Sequence, residues 1–257
     1  MIGGQKVLGR HALVTGGGSG VGREIALALA QAGVDVTICG RRADVLDAVA
    51  AESSRIHGIA ADITDEHAVS GLYEKAEAAR GPFDIVIANA GAADSAPAHK
   101  VSLADWRRTL DVNLTGAFLT VKPALSSMAA RKAGRIVFIA SVAGLRGYAY
   151  VAPYVAAKHG VIGLMRALAA ETVKTGVTVN AVCPGYVETD MLDRSVNNIV
   201  EKTGRSAEEA RSILAAANPQ NRFIQPDEVA DTVLWLCGEK AGSITGQAIS
   251  ISGGETW

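Results

Sequence analysis

A single doubly wound α/β domain, with a seven-stranded parallel sheet and helices on both faces, is the fold that this sequence predicts. Three observations point there. Seven short runs rich in β-branched residues alternate with longer, alanine-rich stretches of helical period, the pattern of strands joined by crossover helices. The central runs, such as Ile85-Val86-Ile87-Ala88 and Ile136-Val137-Phe138-Ile139-Ala140, are apolar at every position and not at every second one, so both faces of those strands must be covered. The 257 residues suffice for one large domain with a substantial core, and no repeat, low-complexity tract or Pro/Gly/Ser-rich linker divides them.

In chain order, the first run, 11–15, ends in a glycine cluster and is followed by a helix near 20–32. The second, 34–39, precedes a helix near 42–52, and the third, 55–60, one near 65–79. The fourth, 83–88, leads to a long helical stretch at 102–130, and the fifth, 135–140, to another at 151–174. The sixth run, 177–182, is separated from the last helix, 226–238, and the last strand, 248–252, by the one long break in this rhythm. That break, 189–225, is rich in Asn, Glu and Arg and reads as a mobile helical flap over the strand ends.

Hydrophobic residues make up 49% of the chain and charged residues 20%, and the formal net charge is -1, so there is no electrostatic footprint for nucleic acid or anionic membrane. A small, weakly charged ligand fits better. Cys39, Cys183 and Cys237 lie in apolar segments, form no CxxC pair and are odd in number, which predicts reduced core residues in a reducing compartment. No stretch approaches the ~18 apolar residues of a membrane span, and residues 1–10 carry no signal pattern, so a soluble, cytoplasmic protein is expected. The five histidines show no ligand spacing, and no metal is expected.

Directly after the first strand stands Thr15-Gly16-Gly17-Gly18-Ser19-Gly20-Val21-Gly22, and a helix follows. Glycines let the backbone turn sharply and approach a pyrophosphate, whose charge the helix N-terminus then favours. The GxGxxG spacing is met in no register. The spacing that is met, T-G-x-x-x-G-x-G, resembles that of the short-chain dehydrogenase/reductase family, and implies cofactor contacts from Gly16, Gly18, Ser19, Gly20, Val21 and Gly22. Ala88-Asn89-Ala90-Gly91, ending the fourth strand, is similar to the family's N-N-A-G with Ala88 in place of the first Asn, and adds Asn89, Ala90 and Gly91. Asp62 and Ile63, after the third strand, fall where the resemblance places the adenine ring, although an Asp at a strand end equally suits a plain turn.

Ser141 ends the fifth strand, Tyr154 follows 13 residues on, and Lys158 stands one helical turn later, so Tyr154 and Lys158 share a helix face and the ammonium can reach the phenol. Reducing a carbonyl takes hydride on one side and a proton on the other. A phenol of pKa ~10 shuttles protons poorly near neutrality unless nearby positive charge favours the phenolate, which an ammonium and an oxidised nicotinamide both do. In the family that the chain resembles, Tyr154 would be the acid/base, Ser141 would hold the substrate oxygen, and Lys158 would also bind the nicotinamide ribose. Asn113, in Asp111-Val112-Asn113-Leu114-Thr115-Gly116, would bend the preceding helix and hold a water in relay to the lysine. Singly, these are a surface pair, a strand end and a tolerated helix polar residue. Four in the right order, at the C-terminal edge of a parallel sheet, make a site. Downstream, Cys183-Pro184-Gly185-Tyr186-Val187-Glu188-Thr189 is similar to the family's P-G-x-x-x-T, so Pro184, Gly185, Val187 and Thr189 are expected to hold the nicotinamide carboxamide.

The resemblance runs from 10 to 254 and is strongest toward reductases of β-ketoacyl thioesters, including polyketide ketoreductases. It implies reduction of a 3-oxoacyl thioester on CoA or a carrier protein. A cyclic, aromatic, sugar or steroid secondary alcohol is the alternative, and a non-catalytic, cofactor-sensing regulator the remote one. Leu145, Tyr148, Tyr150, Tyr186, Met191 and Leu192 are expected to form an apolar substrate wall. Arg131-Lys132 reads as a solvated helix end or, less simply, as part of a docking patch for an acidic carrier or CoA phosphates. Where an NAD-selective site needs an acid, at the end of the second strand, stands Gly40 followed by Arg41, which favours NADP(H) over NAD(H). Val155, Val161, Ile162, Leu164, Met165 and Leu168 spread around the 151–174 helix and predict a second buried face; the resemblance implies a homotetramer through that helix and the 102–130 stretch.

Overall fold

In the computed structural model, which describes residues 6–256 and so leaves 1–5 and 257 of the expected domain outside the described residues, seven strands form one sheet. They are β1 His11–Thr15, β2 Asp35–Gly40, β3 Ile56–Ala60, β4 Ile85–Ala88, β5 Gly134–Ile139, β6 Val177–Pro184 and β7 Ala248–Ile251. Every pair is parallel, in the order β3-β2-β1-β4-β5-β6-β7. The order reverses between β1 and β4, and the crevice beyond the C-terminal ends at such a reversal is where doubly wound sheets take their ligands.

The helices are α1 Gly20–Gln31, α2 Ala43–Ala50, α3 Glu66–Arg80, α4 Leu103–Leu110, α5 Gly116–Arg131, α6 Ala152–Thr172, α7 Asp190–Thr203, α8 Ala207–Ala215 and α9 Pro226–Cys237. Because strand side chains alternate, the continuously apolar runs split between two cores. Leu13, Val86, Ile136 and Phe138 face one, with residues of α3, α5 and α6; Ala12, Val14, Ile85, Ile87, Val137 and Ile139 face the other, with residues of α1, α2 and α9. Among the described residues, no helix is long and apolar enough to cross a membrane.

The structure corrects four expectations. The single helix at 102–130 is two, α4 and α5, joined by a π-helical turn at Asp111–Thr115. Within the 189–225 flap, α7 and α8 close on a small core of their own, Leu192, Val196, Ala210 and Leu214, and Arg211 ties Glu188 to Asp193. Leu192 is therefore spent on holding the flap together and does not line a substrate wall. On α6, Val161, Ile162, Met165 and Leu168 are buried in the chain's own core while Val155 and Leu164 stay partly exposed, so most of that apolar set packs inward; further exposed apolar side chains stand at Leu103 and Trp106 on α4 and Phe118 on α5. Arg131 is not simply a solvated helix end: its guanidinium donates to the Phe83 carbonyl and the Ser127 hydroxyl and pairs with Asp84, at the sheet edge opposite the reversal crevice.

Candidate active site

The tip of β1 is latched to its neighbours before the glycine turn begins. Gly16 N donates to Cys39 O at 2.7 Å; Thr15 Oγ1 accepts from the amides of Asn89 at 3.1 Å and Ala90 at 3.2 Å; and Asn89 Nδ2 donates to Thr15 O at 2.8 Å. Gly16 has φ +67°, and a Cβ there would lie 2.9 Å from Ala90 Cα, so only glycine lets the turn close against β4. Ser19 is the N-cap of α1 but makes no side-chain cap, which leaves the first-turn amides free of side-chain partners. A close-packed glycine backbone below uncapped helix amides is a cradle that a dinucleotide pyrophosphate fits. The base of the flap lies over it: a Cβ on Gly20 would stand 3.1 Å from Thr189 Cγ2. Val187 pairs with Ile224 and Gly185 N donates to Ile251 O at 2.9 Å, which fixes the Pro184 to Thr189 segment above the strand ends.

Asp62 makes the plain strand-end turn. Its carboxylate accepts from Thr64 N at 2.9 Å and Thr64 Oγ1 at 2.8 Å, and these bonds hold it below the usual carboxylate range. Ile63 is buried, packed where a Cβ on Gly116 would meet it. At the end of β2, a Cβ on Gly40 would meet only Leu46 among the described residues; Arg41 is exposed, makes no ion pair among them, and acts electrostatically on Asp62.

Three elements, the Asp111–Thr115 turn, the end of β5 and α6, bring Asn113, Ser141, Tyr154 and Lys158 together. Lys158, 4% exposed, donates from Nζ to Ile139 O at 2.9 Å, and Nζ lies 5.5 Å from the centre of the Tyr154 ring. Asn113, 1% exposed, donates from Nδ2 to Ala92 O at 2.7 Å and to Thr109 O at 2.9 Å, and accepts from Ala92 N at 3.3 Å. Thr109 O is the carbonyl that an α-helix would give to the Asn113 amide. By taking it with a side chain, Asn113 accounts for the π-helical turn between α4 and α5. Gly91 sits between the two groups, since a Cβ there would lie 2.8 Å from Asn113 Oδ1 and 3.6 Å from Lys158 Nζ. Ser141 Oγ accepts from Ala143 N at 3.1 Å and faces Pro184 O at 3.5 Å.

The electrostatics depart from the sequence expectation. Burial lowers the Lys158 ammonium to about 8 against a weak opposing pull from Cys183. Burial likewise pushes the Tyr154 phenol up to about 12, with the Ser141 hydroxyl pulling the other way and Tyr186 adding to the rise. The ammonium alone does not bring the phenol toward neutrality, because it is aimed at the Ile139 carbonyl and burial disfavours charge on the phenol.

The expected wall residues differ in exposure. Leu145, Tyr148 and Met191 are half-buried and Tyr186 is 37% exposed, while Tyr150 is 65% exposed, at φ +68°, and contributes its carbonyl to Ala96 N. Two residues lay outside the sequence reading: Thr15, which latches the glycine turn, and Glu255, whose carboxylate accepts from the Tyr148 hydroxyl. A cavity of about 280 Å³ opens nearby between Ala93 to Ser95, Val151 and the α7 residues Arg194, Ser195 and Asn198.

Comparison with known proteins follows this geometry closely. A family model described as short chain dehydrogenase matches residues 10–199. The chain is 37% identical to the 3-oxoacyl-[acyl-carrier-protein] reductase of Aquifex aeolicus, covering 97% of this chain and 98% of that protein. It is 36% identical to the cis-4-hydroxycyclohexanecarboxylate dehydrogenase of Sinomonas cyclohexanicum, covering 96% of both. A crystal structure of a variant actinorhodin polyketide ketoreductase with NADPH superposes with a TM-score of 0.93 at 37% identity, over 96% of this chain and 97% of that one. The chain belongs to the short chain dehydrogenase family, the oxidoreductases that use a nicotinamide dinucleotide to interconvert ketones and secondary alcohols.

Proposed function

We propose that this enzyme reduces a 3-oxoacyl thioester, carried on CoA or a carrier protein, with NADPH. The observation that carries the reading is Tyr154, a phenol kept protonated by burial beside Ser141, with the Lys158 ammonium 5.5 Å from its ring centre. Such a group is a proton donor at neutral pH. Ser141 holds the substrate oxygen and Tyr154 protonates it, while Lys158 replaces the proton from behind, with Asn113 holding a water in relay to its Nζ. The bound dinucleotide supplies the hydride and, once oxidised, a positive charge beside the phenol.

Gly16, Gly18, Ser19, Gly20, Val21 and Gly22 hold the pyrophosphate; Asn89, Ala90 and Gly91 floor the ribose; Asp62 and Ile63 border the adenine; Pro184, Gly185, Val187 and Thr189 hold the carboxamide. The uncapped helix α1 and the close approach of Gly20 to Thr189 support that arrangement. The exposed Arg41 after Gly40 supports NADPH, through charge-assisted hydrogen bonds to the 2′-phosphate. The likeness to a 3-oxoacyl carrier-protein reductase and to a polyketide ketoreductase supports the thioester, and the 280 Å³ cavity beside Val151 leaves room for its arm. A cyclic secondary alcohol is the second reading, supported by the cis-4-hydroxycyclohexanecarboxylate dehydrogenase. Leu103, Trp106 and Phe118 support a homotetramer built through α4 and α5, and three free, buried cysteines support a reducing, cytoplasmic setting.

The test is a set of initial rates with acetoacetyl-CoA, cyclic ketones and aromatic ketones, each with NADPH and NADH. The reading expects the highest kcat/KM for acetoacetyl-CoA with NADPH. A cyclic or aromatic ketone preferred by tenfold or more replaces the thioester as substrate class.

A further inference from the structure

Residues 252–256 form a turn after β7 that is tied down and reaches the substrate wall. Glu255 N donates to Ser252 O at 3.2 Å, and the Thr256 hydroxyl bonds those of Ser250 and Ser252. This anchoring delivers the Glu255 carboxylate to the Tyr148 hydroxyl, its donor. It also sets Glu255 Oε2 3.4 Å from where a Cβ of Gly185 would stand, and Ser141 Oγ faces the carbonyl of the preceding residue, Pro184. The carboxylate therefore borders the same short backbone stretch as the group that takes the substrate oxygen.

Its charge is not cancelled there. The partner is a neutral phenol, and among the described residues no cation lies within ion-pair distance of it. The nearest cation is Arg146, whose Nη1 donates to the Glu255 backbone carbonyl at 3.3 Å and whose guanidinium lies 5.0 Å over the Tyr148 ring. The field of the carboxylate is felt inward: after burial, Glu255 is the main cause that raises the phenols of Tyr148 and Tyr186, and Tyr186 in turn raises Tyr154.

We propose that Glu255 sets the charge selectivity of the substrate pocket, admitting uncharged carbonyl substrates and excluding those with a free carboxylate close to the reacting ketone. This rests on the ketone-reducing site above and sharpens its substrate class, since a 3-oxoacyl thioester carries an uncharged carbonyl next to the reacting ketone where its free acid carries a carboxylate. Glu255 acts as a specificity determinant by like-charge repulsion, which costs several-fold to tenfold for two unit charges some ångströms apart at a partly wet site.

The experiment measures kcat/KM for two matched pairs, methyl acetoacetate with acetoacetate and methyl 4-oxocyclohexanecarboxylate with its free acid, in the native enzyme, Glu255→Gln and Arg146→Ala. Gln keeps the size and an oxygen for the Tyr148 hydroxyl while removing the charge. The ester-to-acid ratio is expected to fall about tenfold in Glu255→Gln, a change of ~1.4 kcal/mol, and to rise in Arg146→Ala, where the cation over the Tyr148 ring is lost. If Glu255 merely holds the turn in place, both members of each pair slow together and the ratio stays put, which overturns the proposal. Turnover of the cyclic pair without the acetoacetate pair overturns the thioester reading alone, because the charge ratio is then still read on the cyclic compounds.

Discussion

The end of β2 offers a direct test of cofactor choice, through Gly40→Asp. The substitution is sterically quiet: a Cβ at Gly40 meets only Leu46 Cδ2, at 3.5 Å, an ordinary contact, and the backbone is not left-handed there. Any change in cofactor use is therefore a charge effect and not a folding defect. A carboxylate ~5 Å from a 2′-phosphate at an effective dielectric of ~20 costs about 3 kcal/mol per unit of phosphate charge, which solvent at this half-exposed edge reduces to ~2–3 kcal/mol. That is roughly 30- to 150-fold in kcat/KM for NADPH. The same carboxylate accepts charge-assisted hydrogen bonds from the free ribose hydroxyls of NADH, worth about tenfold. The NADPH-to-NADH ratio should thus move by roughly 10²–10³ toward NADH. The assay is kcat/KM for each dinucleotide at fixed ketone, with the thermal midpoint as a check on folding. A native enzyme that already prefers NADH, or a variant that folds normally with an unmoved ratio, refutes this reading of Gly40 and Arg41.

Tyr154→Phe should fold and bind dinucleotide but lose roughly 10²–10⁴ in turnover, the usual worth of a positioned acid; near-native turnover removes Tyr154 from its role. Because the phenol titrates near 12, above its ordinary 10, it is protonated across the neutral range. Reduction should then be nearly flat from pH 6 to 8, and alcohol oxidation, which needs the phenolate, should rise with pH; an oxidation rate that falls with rising pH contradicts the assignment. His11, 1% exposed, donates from Nδ1 to Gly81 O at 2.8 Å and accepts at Nε2 from the Thr37 hydroxyl at 2.9 Å, and burial lowers its pKa below 6.5. The unfolded chain thus takes up a proton first, so stability should fall as the pH drops below 6.5. Urea midpoints at pH 7.5 and 5.5 check this, and His11→Gln should show a smaller drop than the native protein. Light scattering at micromolar concentration should give a mass well above the 26.5 kDa of one chain, and Trp106→Glu on the exposed face of α4 should lower it.

What could be read in advance divides by sequence distance. The glycine turn, the Tyr154 and Lys158 pair, Ser141 and Asn113 are legible because each is a local pattern tied to one strand end or one helix turn. The strands were equally legible, since runs such as Ile136 to Ile139 leave no polar face. Thr15 was missed as a latch because its partners, Asn89 and Ala90, lie 74 and 75 residues away and meet it only once β1 and β4 are neighbours. Glu255 meets Tyr148 across 107 residues, and nothing in its own surroundings in sequence marks it. Leu192 shows a different limit. A helical period shows that a face is apolar but not whether that face turns to a pocket or, as here, to Val196, Ala210 and Leu214. Arg131, read as a solvated helix end, is tied down instead by the Phe83 carbonyl 48 residues upstream, a partner no local pattern shows.

Burial has inverted the order in which the two central groups titrate, and that inversion bears on direction. Free in water, a tyrosine near 10 gives up its proton slightly before a lysine near 10.5; in this protein Lys158 does so at about 8 and Tyr154 at about 12. A lysine ammonium beside a neutral phenol is then the resting arrangement near neutral pH, and any arrangement with a phenolate is disfavoured. Donating a proton to a carbonyl starts from that resting arrangement, whereas accepting one from an alcohol first requires the phenolate. The phenolate must be stabilised by positive charge beyond what Lys158 offers, which an oxidised nicotinamide beside Tyr154 would provide. The desolvation that raises Tyr154 thus prepares the chain's own residues for ketone reduction and makes alcohol oxidation conditional on the bound dinucleotide.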